Sequence, residues 1–294
     1  MDPELRRRIL RLMLTARACD EAEIALKRRG QGQFQLSSSG HEAIAVLPLV
    51  LRDEDWIMPH YRDRALLLAR GLTPEDCLKD YLAKQDSMTG GRQMPYHVTA
   101  RARRIASISS PVGTNFLQAV GMAESLRARN QNEIVVALAG DASTREGEIL
   151  EGLLEAAIRQ LPILFVVEDN GYGISTRTAG RTFWSAPHAL AERVDGRGYS
   201  LGCPVEIVDG LDPEALHAAA AAAVERLRAG SGPYCLVAQL ERMGSHSSSD
   251  DQRQYRDHEE LERLAQRDPV RAYAERLLRE GVLTAVELER LRQD

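Results

Sequence analysis

The sequence predicts an α/β protein with three layers, in which helices cover both faces of a mostly parallel sheet. Residues 133–139 and 162–167 are continuous apolar runs, which are typical of strands buried on both faces. Residues 146–160, between these runs, have apolar side chains at helical spacing. We therefore expect a βαβ unit whose two strands lie parallel and close together in the sheet.

Helices joined by short polar segments are predicted before this unit. Helical spacing covers residues 5–29, 41–51, 61–70 and 74–83. Gly30 is expected to cap the first helix, and Thr73 and Pro74 to begin the last one. Residues 86–110 are rich in glycine and in polar and basic residues, which is typical of a functional or mobile segment.

Two further strands are predicted at residues 205–208 and 234–240, and they flank a helix at 213–229. A polar loop follows, and helices are expected from about residue 259 to the end. We interpret residues 1–294 as one α/β domain. It would have an N-terminal helical segment (1–85) and a C-terminal helical tail (258–294).

The amino-acid composition argues against several classes of protein. There are 38 Lys and Arg residues against 43 Asp and Glu, and the formal net charge of −5 argues against a nucleic-acid-binding protein. The four cysteines lie far apart without metal-ligand spacing, which predicts buried, reduced thiols. No apolar run approaches the roughly 18 residues of a membrane span, and the first residues lack the apolar stretch of a signal peptide. We expect a cytoplasmic protein that binds neither nucleic acid nor membrane.

Polar residues follow both strands of the βαβ unit. Asp141 follows the first strand and Asn170 the second, so both are expected at the carboxyl edge of the sheet, where ligands bind in such folds. With a turn carbonyl they form a set of hard oxygen ligands suited to Mg²⁺ or Ca²⁺. A helix expected to begin at residues 143–146 would offer free N–H groups to a phosphate. This arrangement suggests a metal-bridged diphosphate.

The same residues also have purely structural interpretations. Ser143 and Glu146 have the spacing of a capping box, Asp141 has the chemistry of a helix cap, and Asn170-Gly171 is typical of a turn. Spacing alone leaves these alternatives open. The glycine-rich motifs of nicotinamide, flavin and Walker-type sites do not occur in the sequence, which argues against those cofactors.

A family resemblance adds to this interpretation. Gly140-Asp141, followed about thirty residues later by Asn170, resembles the thiamine diphosphate motif. Narrower matches resemble the α subunit of 2-oxo acid dehydrogenases, and their pattern is most similar to that of the branched-chain enzyme. These matches lie at Tyr61-Arg62 and at residues 91–97, 108–111, 170–176, 244–251 and 255–256. They follow the order of the family from about residue 40 to residue 277.

The resemblance implies a site for thiamine diphosphate and Mg²⁺. Asp141, Asn170 and the backbone oxygen of Tyr172 would bind the Mg²⁺ ion, and Tyr61 with the guanidinium of Arg62 would hold the diphosphate. His246 is the implied catalytic residue, which would contact the diphosphate, stabilise charge and assist acyl transfer. The implied cofactor-binding residues are Tyr61, Arg62, Ser110, Val112, Gly140, Asp141, Ala142, Asn170, Tyr172 and His246.

Within this set, Ser110 and the backbone of Val112 match positions that meet the aminopyrimidine ring. The resemblance also implies a monovalent cation, K⁺, near Ser109, Pro111, Thr114 and Asn115.

Asn115 replaces a Gln at the implied K⁺ site, and three other positions also depart from the family pattern. Ala142 replaces the usual Gly, and His60 replaces a Gln beside the diphosphate clamp. Glu168 stands where branched-chain enzymes have Arg and pyruvate enzymes have an acid. The sequence ends at Asp294, short of the C-terminal helices common in the family, which we expect either to weaken subunit packing or to reflect a split polypeptide.

The implied reaction is the oxidative decarboxylation of a 2-oxo acid, with branched-chain substrates favoured and the acyl group passed to a lipoyl-bearing acyltransferase. The acid that activates the cofactor is implied to lie on a transketolase-like β subunit. We therefore expect an α₂β₂ heterotetramer and an inactive chain on its own. The alternatives are an α subunit of the pyruvate or acetoin type, a non-catalytic α-like scaffold, and a self-sufficient thiamine enzyme, for which 294 residues are too few.

Overall fold

The computed structural model of the protein describes residues 1–32, 34–129, 132–186, 193–194 and 197–294. Its strands are β1 (Trp56–Met58), β2 (Val135–Gly140), β3 (Ile163–Asp169), β4 (Tyr172–Gly173), β5 (Thr176–Arg177), β6 (Arg193–Val194), β7 (Arg197–Ser200), β8 (Cys203–Asp209) and β9 (Tyr234–Gln239). Its α-helices are α1 (Pro3–Arg28), α2 (Arg64–Ala69), α3 (Pro74–Tyr81), α4 (Thr114–Ala128), α5 (Gly147–Arg159), α6 (Pro213–Arg228), α7 (His258–Gln266), α8 (Pro269–Arg279) and α9 (Ala285–Gln293). Shorter 3₁₀ segments lie at Glu42–Val50, Arg101–Arg103, Asp141–Arg145 and Gln252–Gln254.

Seven of the described strands form one sheet in the order β1-β2-β3-β9-β8-β7-β6. Neighbouring strands are parallel from β1 through β2, β3 and β9 to β8. β7 and β6 extend the sheet beyond β8 in antiparallel orientation. β4 and β5 form a separate two-stranded hairpin. The mostly parallel sheet expected from the sequence is therefore confirmed.

Alternate residues of the central strands face two different cores, which explains their continuous apolar sequences. Val136 and Leu138 of β2 join a core that includes residues of α1, α6 and α8. Val135 and Ala137 face a second core, which includes residues of α4 and α5. Helices thus cover both faces of the sheet, and the three-layer prediction is confirmed.

The predicted βαβ unit is formed by β2, α5 and β3. β2 and β3 are parallel neighbours, with a register that runs from Val135 opposite Ile163 to Gly140 opposite Glu168. This register brings the residues that follow the two strands to the same edge of the sheet.

Several elements differ from the sequence-based expectation. Residues 42–50 form a 3₁₀ segment rather than an α-helix, and Pro48 inside it lacks the N–H group that an α-helical ladder needs. The helix expected from residue 61 begins only at Arg64. β1 and α4 were not predicted: β1 has three residues, and the buried face of α4 consists partly of alanines, which give little apolar contrast.

The four cysteines are free and buried, as the sequence predicts. In the described part of the chain no helix has both the length and the apolar character that crossing a membrane requires.

Candidate functional site

The carboxyl ends of β2 and β3 bring Asp141 and Asn170 to one edge of the sheet. Asp141 begins the 3₁₀ segment Asp141–Arg145 directly after β2, and Asn170 directly follows β3. Both side chains are buried, with 1% of Asp141 and 8% of Asn170 exposed. The sequence prediction that these two residues share an edge is confirmed.

A threonine joins the loops that carry these two residues. The hydroxyl of Thr178 donates to Oδ2 of Asp141, and its backbone N–H donates to the carbonyl of Gly171 at 3.1 Å. Burial raises the pKa of Asp141 to about 6, although the Thr178 hydrogen bond opposes this shift. A carboxylate that burial penalises in this way is stabilised by a nearby cation.

The amide of Asn170 is held in a defined orientation. Its Oδ1 accepts from the backbone N–H of Tyr172 at 3.2 Å, and its Nδ2 lies 3.2 Å from Nε2 of His41. With the Asp141 carboxylate and a backbone carbonyl of this loop, the amide oxygen makes up the hard oxygen set that Mg²⁺ takes. The residues at this edge therefore fit a magnesium ion.

The two loops approach each other closely at Gly173. A Cβ atom at Gly173 would lie 2.5 Å from the Cβ of Ala142, so only glycine fits opposite this alanine. Gly140, the last residue of β2, faces the imidazole of His60: a Cβ added there would lie 3.6 Å from Nε2.

The expected helix start at residues 143–146 is wrong. α5 begins at Gly147, and Glu146 is its N-cap without a side-chain capping bond, so the capping-box alternative is also wrong. The backbone N–H of Glu146 instead donates to the carbonyl of Ser143 at 3.0 Å, and the Thr144 hydroxyl donates to that of Asp141 at 2.6 Å. These local bonds hold residues 141–145 in a 3₁₀ turn, so α5 starts one turn later along the chain.

Arg62 and His246, which are 184 positions apart, lie in contact. Nη2 of Arg62 donates to the His246 carbonyl at 2.7 Å and lies 3.0 Å from Nδ1 of its ring. Nη1 donates to the carbonyl of Ser37 at 2.7 Å. Burial, together with the charges of Arg62 and Arg242, lowers the pKa of His246 to about 4. The imidazole is therefore neutral at neutral pH, with Nδ1 as the acceptor and the proton on Nε2.

The loop that carries His246 is fixed by its own polar contacts. The backbone N–H of His246 donates to Asp250 at 2.8 Å, and the hydroxyl of Tyr255 donates to the same carboxylate at 2.5 Å. Arg242 in turn donates to the Tyr255 hydroxyl at 2.7 Å.

Tyr61, the other predicted clamp residue, lies among histidines. Its ring centroid is 3.8 Å from that of His60, 6.3 Å from that of His97 and 6.4 Å from that of His246. Tyr61, Arg62 and His246 thus form one cluster, as the resemblance implies.

Four of the remaining predicted residues line a separate small cavity of about 10 Å³. Ser109, Pro111, Val112 and Asn115 border it, together with His60. Thr114 lies beside the same loop and its hydroxyl donates to the Pro111 carbonyl at 3.1 Å. Ser110 is exposed. The cavity has room for about one water molecule, and the predicted K⁺ site there stays a prediction.

Sequence reasoning did not single out His41 and Asp63, which lie next to the site. The fully buried side chain of Glu168 lies between two histidines: its Oε2 is 2.5 Å from Nδ1 of His41, and its Oε1 is 3.6 Å from Nδ1 of His60. His41 also contacts the amide of Asn170. The one available signal in the sequence is Glu168, a charged residue near the end of the otherwise apolar strand β3. A charge at that position does not identify the residues that contact it.

Comparison with known proteins agrees with this geometry. A family model described as dehydrogenase E1 component matches residues 10–294, and the chain belongs to this family. The family is that of thiamine diphosphate-dependent 2-oxo acid dehydrogenases, so the resemblance drawn from the motifs is confirmed.

Three relatives of the chain are named as α subunits. The chain is 35% identical to the 2-oxoisovalerate dehydrogenase subunit alpha of Bacillus subtilis, over 93% of this chain and 82% of the relative. It is 33% identical to the 3-methyl-2-oxobutanoate dehydrogenase subunit alpha of Mycobacterium tuberculosis, over 95% and 72%. It is 29% identical to the pyruvate dehydrogenase E1 component subunit alpha of Staphylococcus aureus, over 93% and 70%.

Proposed function

We propose that this chain is the α subunit of a decarboxylating 2-oxo acid dehydrogenase that acts on branched-chain 2-oxo acids. The observation that carries the proposal is the placement of two residue groups at one edge of the sheet: the Asp141–Asn170 pair, and the cluster of Tyr61, Arg62 and His246. The identity with relatives named for 2-oxoisovalerate and 3-methyl-2-oxobutanoate supports the substrate class.

Thiamine diphosphate, when bound, supplies the nucleophilic carbon and the electron sink for decarboxylation. Asp141, Asn170 and the backbone oxygen of Tyr172 would hold its Mg²⁺ ion, and the backbone of Gly140 and Ala142 would lie beside the phosphates. Tyr61 and Arg62 would hold the diphosphate, while Ser110 and Val112 would meet the pyrimidine ring. The guanidinium of Arg62 is anchored on Ser37 and His246, which pre-orients it for phosphate oxygens.

His246 would act as a neutral hydrogen-bond donor. Arg62 occupies its Nδ1 side, so its Nε2–H group remains to stabilise negative charge and to pass a proton during acyl transfer. The lowered pKa of His246 keeps the ring neutral over the whole neutral range, and the Arg62 contact at Nδ1 favours the tautomer with its proton on Nε2.

The assembly belongs to the same proposal. We expect a transketolase-like β subunit in an α₂β₂ heterotetramer, a lipoyl-bearing acyltransferase as acyl acceptor, and K⁺ near Ser109. The α-subunit names of the relatives support the need for a partner chain.

The test is reconstitution of this chain with a transketolase-like β subunit. Calorimetric titration with thiamine diphosphate and Mg²⁺ should show saturable binding, which Asp141→Asn should weaken roughly tenfold or more. The exposed Asp209→Asn, at the end of β8, is the matched control and should bind normally. Absence of saturable binding in the complex would favour the scaffold alternative.

Substrate class is read from kcat/KM on the same complex. We expect a higher kcat/KM for 3-methyl-2-oxobutanoate than for pyruvate. The resemblance implies an acid in pyruvate enzymes at the position of Glu168, which favours the pyruvate-type alternative, and a preference for pyruvate would establish that alternative.

A further inference from the structure

Three buried side chains beside the proposed cofactor site each turn an unpaired atom towards the others. These atoms are Nδ1 of His60, Oδ1 of Asp63 and Oε1 of Glu168, and none has a hydrogen-bond partner while both carboxyl groups are ionised. The two carboxyl groups lie close enough to share a proton, and burial with the neighbouring Glu168 holds the pKa of Asp63 well above its ordinary value. One potential ligand atom from each of the three residues lies within 4.8 Å of those of the other two. The residues are 8%, 1% and 0% exposed, respectively, so bulk water does not solvate them.

Leaving such atoms unpaired is costly. A buried carboxylate oxygen without a partner loses its hydration, and two neighbouring carboxylates also repel each other. The separation of 3.6 Å between His60 Nδ1 and Glu168 Oε1 is too long for a hydrogen bond. A positively charged species between the three atoms would remove both penalties.

The second oxygen of each carboxylate takes part in a hydrogen bond that holds the carboxylate in place. Oδ2 of Asp63 accepts from the backbone N–H of His60 at 2.7 Å, and Oε2 of Glu168 lies 2.5 Å from Nδ1 of His41. Hydrogen bonds of this kind orient metal ligands in proteins. Each of the two carboxylates is therefore fixed by one oxygen and leaves its other oxygen for the cluster.

The donor types indicate the ion. Metal bonds of about 2.0–2.2 Å place neighbouring ligand atoms roughly 3.4 Å apart in a tetrahedral site, close to the observed separation of 3.6 Å. One imidazole and two carboxylates suit first-row divalent ions such as Zn²⁺ and Mn²⁺. Burial and the charge of Arg62 keep the pKa of His60 well below its ordinary value, so the ring is neutral, and Nδ1 offers a lone pair in the tautomer that has its proton on Nε2.

We propose that His60, Asp63 and Glu168 bind one first-row divalent metal ion, at a site separate from the proposed Mg²⁺ site. The two ligand sets share no residue. They are connected through His41, which contacts Glu168 on one side of its ring and Asn170 on the other.

The experiment uses the full chain, co-purified with its partner subunit if the two associate. The protein is stripped with a chelator and dialysed against Zn²⁺ or Co²⁺ in excess Mg²⁺, and bound metal is measured by mass spectrometry. We expect about one Zn²⁺ or Co²⁺ per chain, with visible Co²⁺ absorption bands typical of low coordination number. Wild-type protein that folds and retains only trace metal would overturn the proposal, because a shared proton would then suffice between the two acids.

Variants assign the ion to its ligands. Asp63→Asn and Glu168→Gln, which keep the shapes of the side chains, should each weaken Co²⁺ binding roughly tenfold or more. Asp141→Asn is the matched control: it should lose Mg²⁺ and thiamine diphosphate binding but keep Co²⁺. Loss of Co²⁺ in Asp141→Asn alone would contradict the proposal and place the ion at the proposed Mg²⁺ site. Failure of the proposed function leaves the Co²⁺ result unchanged, so the two are distinguishable.

Discussion

At the scale of single residues, one hydroxyl group positions the carboxylate of Asp141. Thr178 donates to that carboxylate from its side chain and to Gly171 from its backbone. It therefore links the loop after β2 to the loop after β3, and it lowers the cost of keeping Asp141 ionised in a buried place.

Thr178→Val tests this link, because valine keeps the shape of threonine and removes the donor. We expect the free energy of unfolding to fall by about 1–2 kcal/mol and the pKa of Asp141 to rise above its present value of about 6. Urea unfolding at neutral pH measures the first effect. Thr176→Val, at an exposed position, is the control and should change little; an equal loss in both variants would refute the special role of Thr178.

The buried imidazole of His246 gives a pH dependence of known sign. Its pKa is about 4 in the folded protein, below the ordinary value of 6.5, so the unfolded chain takes up the proton first as pH falls. Its contribution to stability is therefore present above pH 6.5 and is lost between pH 6.5 and 4. We expect the melting temperature of His246→Gln to rise relative to that of wild type as the pH falls from 6.5 to 4. A difference in melting temperature that stays constant over this range would contradict the assigned pKa.

The site residues that the sequence reveals are those with a local motif. Asp141 and Asn170 follow apolar strands, and Arg62 and His246 lie in recognisable segments. Asp63 and His41 belong to no such pattern, and they meet Glu168 only because the chain folds back over more than a hundred residues. Contacts of that kind depend on tertiary packing, which single-sequence periodicity does not encode.

At the scale of elements, the loop after β2 and the loop after β3 approach each other so closely that one of the facing residues has no room for a side chain. Ala142 occupies the space that a side chain at Gly173 would need. The alanine, which departs from the family's usual glycine, is accommodated because its neighbour in space has no side chain.

Gly173→Ala should destabilise the protein by about 1–3 kcal/mol, since the new methyl group would meet that of Ala142 at 2.5 Å. Ala142→Gly alone should cost little, and the double variant should recover most of the loss. Thermal unfolding of all four proteins gives the coupling energy. Additive effects would show that the two loops do not press on each other.

Elements were predictable where burial left a clear pattern. β2, β3 and α5 are apolar on both faces or on one stripe, and their positions agree with the sequence to within a few residues. The start of α5 was placed too early because Ser143 and Thr144 form local bonds that favour a 3₁₀ turn over a cap. β1 is too short to show any period, and its place in the sheet depends on pairing with β2.

At the scale of the whole molecule, ionic contacts join the N-terminal helix to distant parts of the chain. Arg17 of α1 contacts Asp268 before α8 at 2.8 Å and the fully buried Glu42 at 2.7 Å. Glu42 also accepts from the backbone N–H of Gly40 at 2.7 Å. Arg17 thus connects α1 to the start of α8 and, through Glu42, to the loop at Gly40.

Arg17→Met should lower the free energy of unfolding by about 2 kcal/mol, because it leaves the Glu42 carboxyl buried without its cation. The pKa of Glu42, already raised to about 7 by burial, should rise further. Chemical denaturation measures the loss. Arg271→Met on the exposed face of α8 is the control, and a similar loss there would argue against the buried contact.

The two hydrogen bonds of the Asn170 amide have a consequence for ion capture. A flip of this side chain would break both bonds, so the group is locked before any ligand arrives. An amide that is free to rotate would present its NH₂ group to a cation about half of the time and would lose rotational entropy when the ion is captured. By fixing the oxygen in advance, the protein would bind the proposed Mg²⁺ ion without rearrangement at this position.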